Sequence, residues 1–211
     1  MNTRHAIAAL AWIGVAFALA PGASPAATAP LASARALSSA MAGGRGGEAQ
    51  VAYELADPLG GPARTVRGRV RVESPDRVRL DFSPAGERIA MRGDGGEWLQ
   101  PASRQLLRIP AARAQSALQW WRVLLPASRE SFHEDPLGRR RFSLVPLDSA
   151  AGPIRIMVRL DARGYPAEVI VTGMMEEPIT YRLSGWKFGP GRGAAAYRLS
   201  APPGYETVDL P

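Results

Sequence analysis

The sequence predicts a mainly β protein, a strongly curved antiparallel sheet with one wet face, one dry face and a short helical cover. Three observations predict it. The seventy residues after Gly44 alternate polar and apolar side chains with a period of two. Turn residues punctuate these runs at short intervals, and one amphipathic stretch interrupts the strands in mid-chain. A period of two sends successive side chains to opposite faces, and clean alternation marks antiparallel sheet buried on one face only.

The first residues stand apart from that pattern. Arg4 and His5 form a short polar start, Ala6–Ala20 is a 15-residue apolar run, and Pro21-Gly22 ends it. A membrane-spanning helix needs roughly 20 apolar residues, so the run has the length of an export signal rather than of a span. Small residues at Ser24 and Ala26 place the expected cut after Ala26. Residues 1–26 are thus read as a signal peptide, 27–47 as a linker and N-terminal helix, and 48–211 as the folded domain. Within the linker, Ala32–Ala42 permits a helix that stops at Gly43-Gly44.

The strands follow in order. In Thr65–Val72, Val66, Val70 and Val72 share one face and Arg67, Arg69 and Arg71 the other. In Arg77–Phe82, Val78, Leu80 and Phe82 oppose Arg77, Arg79 and Asp81. Turns are signalled at Asp57–Gly61, Ser74–Asp76, Ser83–Gly86 and Gly93–Gly96. Leu107–Leu125 is expected to break the sheet: after Pro110, Ala114, Ala117, Leu118, Trp121, Leu124 and Leu125 fall at helical spacing, with Trp120 at the flank of that stripe. Strands resume at Arg141–Leu147, Ile154–Asp161, Ala167–Thr172, Ile179–Phe188 and Ala195–Ser200, about ten in all. Such a set closes into a barrel or sandwich, or stays a curved sheet covered by helices; the mid-chain helix favours the second. A curved sheet under a partial helical lid encloses an apolar space, the setting in which apolar ligands bind.

Composition removes much of chemistry. The 211-residue chain has no cysteine, which excludes disulfides, thiol nucleophiles, thiolate metal sites and N-terminal lipidation together. Two histidines, His5 and His133, exclude a histidine-cluster metal centre, and no metal or cofactor is expected. His133, in Ser131-Phe132-His133-Glu134-Asp135, would need Glu134 or Asp135 as orienter to serve as a base; a surface histidine at a strand end is the stronger reading. Glu176 and Glu177 are adjacent and precede Pro178, which suits a solvated turn better than a carboxylate pair. The net charge is +7, and Lys187 is the only lysine among 26 cations. Arg139-Arg140-Arg141 and the Arg67/Arg69/Arg71 row are read as solvated faces; an anionic headgroup or acidic partner fits an exported chain better than nucleic acid, which is not expected as a partner.

Several stretches together resemble a known family. Gly68 leads through Ser74-Pro75-Asp76 to Arg77-Val78-Arg79-Leu80; Ile89 leads to Gly93-Asp94-Gly95-Gly96-Glu97-Trp98-Leu99; Pro101–Leu107 follows. Near the C-terminus come a hairpin pattern at Leu160–Val169 and a closing pattern at Tyr197–Leu210. In this order and spacing they resemble the periplasmic lipoprotein carriers (LolA-like), over nearly all of the chain beyond the export signal. The resemblance implies an unclosed β-barrel, or half-barrel, with a short helical lid. Its apolar concavity would hold acyl chains in transit from the inner to the outer membrane. The family's best-known carriers place an arginine immediately before the turn proline, where it locks the lid; Ser74 stands there in this chain.

The expected protein is therefore a non-enzymatic, monomeric periplasmic carrier. Its expected partners are an acylated lipoprotein or other lipid, an inner-membrane releasing transporter or exporter, and an outer-membrane acceptor. A carrier for a non-lipoprotein lipid with its own exporter and a lipid-sensing interaction module are the alternatives. The expected lining of the cavity comprises Val70, Val72, Leu80, Phe82, Met91, Ile156, Val158, Tyr181 and Leu183 from the sheet, with Leu118, Trp121 and Leu125 from the lid. Each of these equally suits plain core packing.

Overall fold

The computed structural model describes residues 30–55, 63–111, 120–126, 130–147, 153–173 and 178–210. Residues 1–26, Leu118 and the Glu176-Glu177 pair lie outside them. From Arg45 the chain runs through an antiparallel meander of six strands: β1 (Arg45–Leu55), β2 (Arg64–Glu73), β3 (Arg77–Ser83), β4 (Arg88–Arg92), β5 (Gly95–Gln100) and β6 (Gln105–Pro110). A second meander comprises β7 (Phe132–Pro136), β8 (Arg141–Pro146), β9 (Arg155–Leu160), β10 (Pro166–Thr172) and β11 (Ile179–Pro190). The long strands β1 and β11 pair antiparallel and join the two wings into one sheet. A short β12 (Glu206–Asp209) adds parallel to β6. The spatial order is β12-β6-β5-β4-β3-β2-β1-β11-β10-β9-β8-β7, a curved 12-stranded sheet that does not close.

Side-chain chemistry fixes the tight turns. Asp161 Oδ1 accepts the backbone N–H groups of Arg163 (2.8 Å) and Tyr165 (2.9 Å), shaping the β9–β10 hairpin. Asp76 Oδ2 accepts Gly93 N–H at 2.8 Å, tying the β2–β3 turn to the β4–β5 turn. In β11, Gly185 takes a φ of 66°, a conformation that costs glycine little, and the β1–β11 register shifts between Glu48 and Gln50. The irregularity changes the parity of the buried positions: Leu183 is buried before it and Trp186 after it. A row of facing residues then crosses six strands, Phe142–Val158–Val169–Tyr181–Tyr53–Val66, as a continuous inner surface.

Among the described residues, four short helical elements accompany the sheet: η1 (Ala32–Ala34), α1 (Arg35–Ala40), η2 (Trp120–Leu124) and η3 (Ala194–Tyr197), the η elements being of the 3-10 type. From the lid side, η1, α1 and η2 contribute Ala34, Leu37, Trp120, Val123 and Leu124 to the buried core of the sheet's inner face.

Three expectations need correction. Leu107–Pro110 belongs to β6 rather than to a helical interruption, because Leu107 pairs with Trp98 and Ile109 with Gly96. Ala194–Tyr197 is a 3-10 turn, so Ala195–Ser200 is not a strand; burial of Tyr197 against the outer face of β3 and β4 overrides the alternation there. Twelve strands are present rather than about ten, the additions including the polar edge strands β7 and β12.

Candidate functional site: the inner face and its lid

Alternation along each strand places the expected cavity residues together. Val70, Val72, Leu80 and Ile156 have no exposed surface, and Phe82, Met91, Leu125, Val158 and Leu183 are buried with them in one apolar cluster. Tyr181 and Trp121 pack against that cluster half-buried. Val70 faces Leu80 across β2–β3, and Val78 faces Met91 across β3–β4. Fully burying such a side chain contributes about 1.5–3 kcal/mol, so the inner face is the main source of stability.

The lid side also holds buried residues outside the expected lining, of which Leu124 stood on the apolar stripe read from the sequence. Leu37 and Met41 from the N-terminal helix are fully buried on the sheet, as are Val123 and Leu124 of η2. The sequence placed Trp121 on the buried stripe and Trp120 at its flank, and the structure reverses them. A 3-10 helix has about three residues per turn, which aligns Trp120 with Val123; Trp120 is buried and Trp121 half-buried. The Trp120 ring stacks on Tyr181 with centroids 4.2 Å apart and planes 21° from parallel. Tyr181 in turn contacts Tyr53 (5.2 Å), which meets Phe82 edge-on at 5.7 Å. An aromatic chain therefore runs from the lid across β11 and β1 toward β3.

Burial governs the electrostatics of this chain. It pushes the Tyr181 phenol up to about 12, with Tyr53 adding to the effect. It also raises Tyr53, helped by Glu87 and opposed by Arg64. In the lid, burial lowers the Arg122 pKa, and Arg122 Nη2 donates to Ser131 Oγ at 2.9 Å. Glu134 reaches from β7 to η1, where its carboxylate accepts Ala32 N–H (2.6 Å), Ser33 N–H (3.0 Å) and the Ser33 hydroxyl. This helix-capping contact ties the N-terminal helix to the sheet edge. Two buried polar atoms on the lid, Ser38 Oγ and Trp121 Nε1, have no hydrogen-bond partner among the described residues.

The other candidates separate. His133 is exposed on the edge strand β7, with Nε2 at 3.1 Å from the equally exposed Asp135, while Glu134 is committed to η1. Arg67, Arg69 and Arg71 lie on the outer face, opposite the buried valines of β2. Arg139, Arg140 and Arg141 are exposed at the β7–β8 turn.

No family model matches the chain, and no curated protein matches it. Among solved structures, it is similar to an uncharacterised conserved protein from Thermus thermophilus, with 12% identity over 84% of this chain and 99% of that one, TM-score 0.48. A LolA superfamily protein from Nitrosomonas europaea gives 13% identity over 75% and 93%, TM-score 0.45. A putative outer membrane lipoprotein-sorting protein domain from Vibrio parahaemolyticus gives 13% identity over 78% and 94%, TM-score 0.48. The functional reading that follows rests on the geometry of this chain.

Proposed function

We propose that this protein is a periplasmic carrier that shelters acyl chains, of a lipoprotein or a related lipid, between its half-barrel and its lid during transfer from the inner to the outer membrane. The observation that carries the reading is the pairing of one apolar inner face, continuous over both wings, with a cover whose helices, among the described residues, are three to six residues long. Short helices have little intrinsic stability and depend on the face they cover. An acyl chain would take the place of Trp120 and Leu124 against the sheet, each buried methylene contributing about 0.8 kcal/mol. The unpaired Trp121 Nε1 and Ser38 Oγ make the closed lid less favourable than a fully satisfied one, since a buried unpaired polar group costs about 1–3 kcal/mol. Opening would release the Trp120–Tyr181 stack and the Glu134 cap. The role is binding, without catalysis, and the protein would meet a releasing transporter or exporter on one side and an acceptor on the other.

Displacement of a fluorescent fatty acid, measured with thermal unfolding, tests this. Wild-type protein should bind the probe, and Trp120→Ala should bind it more tightly or faster because the competing ring is gone. If neither protein binds the probe, and Trp120→Ala only loses the 3–5 kcal/mol of an emptied core site, the inner face is core and the carrier reading fails.

A further inference from the structure

The outer face of β2–β4 holds a second feature that the carrier reading does not use. A groove of about 570 Å³ opens there beside the Ser83–Gly86 turn, and five arginines line it: Arg67, Arg69, Arg71, Arg79 and Arg88. Strand register brings them together. Arg69 faces Asp81 across β2–β3, Asp81 faces Arg88 across β3–β4, and Arg67 sits one row along, facing Ser83. Strands lie about 4.8 Å apart and same-face residues about 6.8 Å apart, so Arg67, Arg69 and Arg88 border one small area.

Their carboxylate partners are too few. Asp81 lines the groove and accepts Arg71 Nη1 at 2.6 Å and Arg79 at 3.0 Å, with Arg88 Nε at 3.8 Å. Glu48 stands behind, 2.8 Å from Arg71 Nε and 3.2 Å from Arg69 Nε, and it also meets Arg192 at 3.4 Å. Four of the five guanidiniums thus share two carboxylates. Arg71 and Arg79 are pinned with little exposed surface, and Arg79 Nη1 is spent on the Ala196 carbonyl at 2.9 Å. Arg67 has no carboxylate partner among the described residues, while Arg69 and Arg88 are about half exposed and approach their carboxylates through Nε, at 3.2 Å and 3.8 Å. The terminal nitrogens of these three remain for a ligand, on a base of pinned arginines that keeps the groove positive.

We propose that this groove binds a phosphate-bearing group. Guanidinium forks match phosphate oxygens, and three donors from β2 and β4, on either side of β3, suit a tetrahedral, multiply charged acceptor better than one flat carboxylate. The source is either a lipid headgroup or a soluble phosphate compound. The proposal does not rest on the carrier reading, because it uses the opposite face of the sheet.

Two arms distinguish the sources: calorimetric titration with inorganic pyrophosphate, and flotation with phosphatidylcholine vesicles with or without phosphatidylglycerol. The variants are Arg67→Gln/Arg69→Gln and, losing the same charge at the exposed β7–β8 turn, Arg139→Gln/Arg140→Gln. The expected result is binding in at least one arm, weakened about tenfold or more by the groove pair and about twofold or less by the turn pair, with thermal unfolding unchanged. Binding of pyrophosphate assigns a soluble phosphate; binding of phosphatidylglycerol vesicles alone assigns a headgroup. Equal loss in both variants would reduce the effect to net charge and overturn the proposal, as would wild-type protein that binds in neither arm.

Discussion

On the β2–β5 wing the outer face is a lattice of ion pairs that the C-terminal segment roofs in part, leaving the arginine groove open; on the β8–β10 wing it is uncovered and partly apolar. Under the roof, Arg92 Nη1 donates to the Tyr197 carbonyl at 2.7 Å and pairs with Glu97, and the buried Glu73 accepts the backbone N–H groups of Arg192 (2.7 Å) and Gly193 (3.3 Å). The open wing shows half-buried Met157 and Ile170 facing each other, exposed Val145, and the ion pair Arg159–Glu168 beside solvent. The inner faces do not differ in this way: Val70 and Leu80 on one wing, Leu144 and Ile156 on the other, are all fully buried. Burial on the inside makes the fold, while the outside differs according to whether the chain returns to cover it.

If the inner faces are equivalent, a charge on either wing should be equally disruptive. Leu80→Asp and Ile156→Asp each place a carboxylate where no partner exists, and each is expected to cost several kcal/mol, enough to remove most of the stability of a domain this size. Urea unfolding checks it. A wing that tolerated its charge would be the one that opens in the ground state, and the comparison would then be between a rigid and a mobile half.

The roof should fail at Glu73. Its carboxylate holds two backbone N–H groups and the Arg77 guanidinium, so Glu73→Ala leaves three donors without this acceptor. A loss of about 1–3 kcal/mol is expected in chemical unfolding. Faster amide exchange at Arg192 and Gly193 would show that the roof lifts before the sheet opens.

Much of this division is legible in the sequence, and the reason is periodicity. Val66, Val70 and Val72 against Arg67, Arg69 and Arg71 gave β2 its faces, and Val78, Leu80 and Phe82 did so for β3, because one buried face imposes the period of two. The edges carried no such signal. β12 is Glu-Thr-Val-Asp and β7 buries only Phe132, as edge strands that carry charge against further pairing do. The roof was misread because Tyr197 is held by residues over a hundred positions away, a relation that local alternation does not record. The exchange of Trp120 and Trp121 followed from applying a period of 3.6 where the chain turns with about three residues. On the inner face, the sequence named the strands' contribution to the site and missed that of the N-terminal helix, whose Leu37 and Met41 sit in a stretch rich in alanine and serine.

Each region also holds a tyrosine whose ionisation burial delays. Tyr181 lies beneath the lid and Tyr197 beneath the roof, each pushed up to about 12, by burial first and then by Tyr53 in one case and Glu73 in the other. The unfolded phenols titrate near 10. The folded state therefore holds these protons more tightly, so the associated stability is present in full below about pH 10 and is lost as pH rises toward 12. Ultraviolet titration should show these two phenols among the late ones, with Tyr53 also raised; Tyr181→Phe removes the one and Tyr197→Phe the other. Glu73→Ala should advance Tyr197 alone, separating roof from lid.

The smallest expected effect lies on the open wing. Glu168 is 3.3 Å from Arg159 and faces it across β9–β10, much as Asp81 faces Arg69 on the other wing. The geometry is similar, but the surroundings are not. The Arg159 side chain is 46% exposed, and no roof crosses this pair, so water and salt screen the attraction and restore most of the hydration that either charge would otherwise lose. Glu168→Gln should therefore change the unfolding free energy by about half a kcal/mol or less, and raising the salt concentration should erase even that. Asp81→Asn is the matched substitution on the other wing, where the partners Arg71 and Arg79 are only 17% and 19% exposed. It withdraws the acceptor of two pinned arginines, so its cost should exceed that of Glu168→Gln by about 1 kcal/mol or more and should persist in salt. Equal costs for the two carboxylates, screened alike by salt, would mean that the deeper burial of Arg71 and Arg79 adds nothing to the Asp81 pairs, and the contrast between the outer faces would then be one of composition alone.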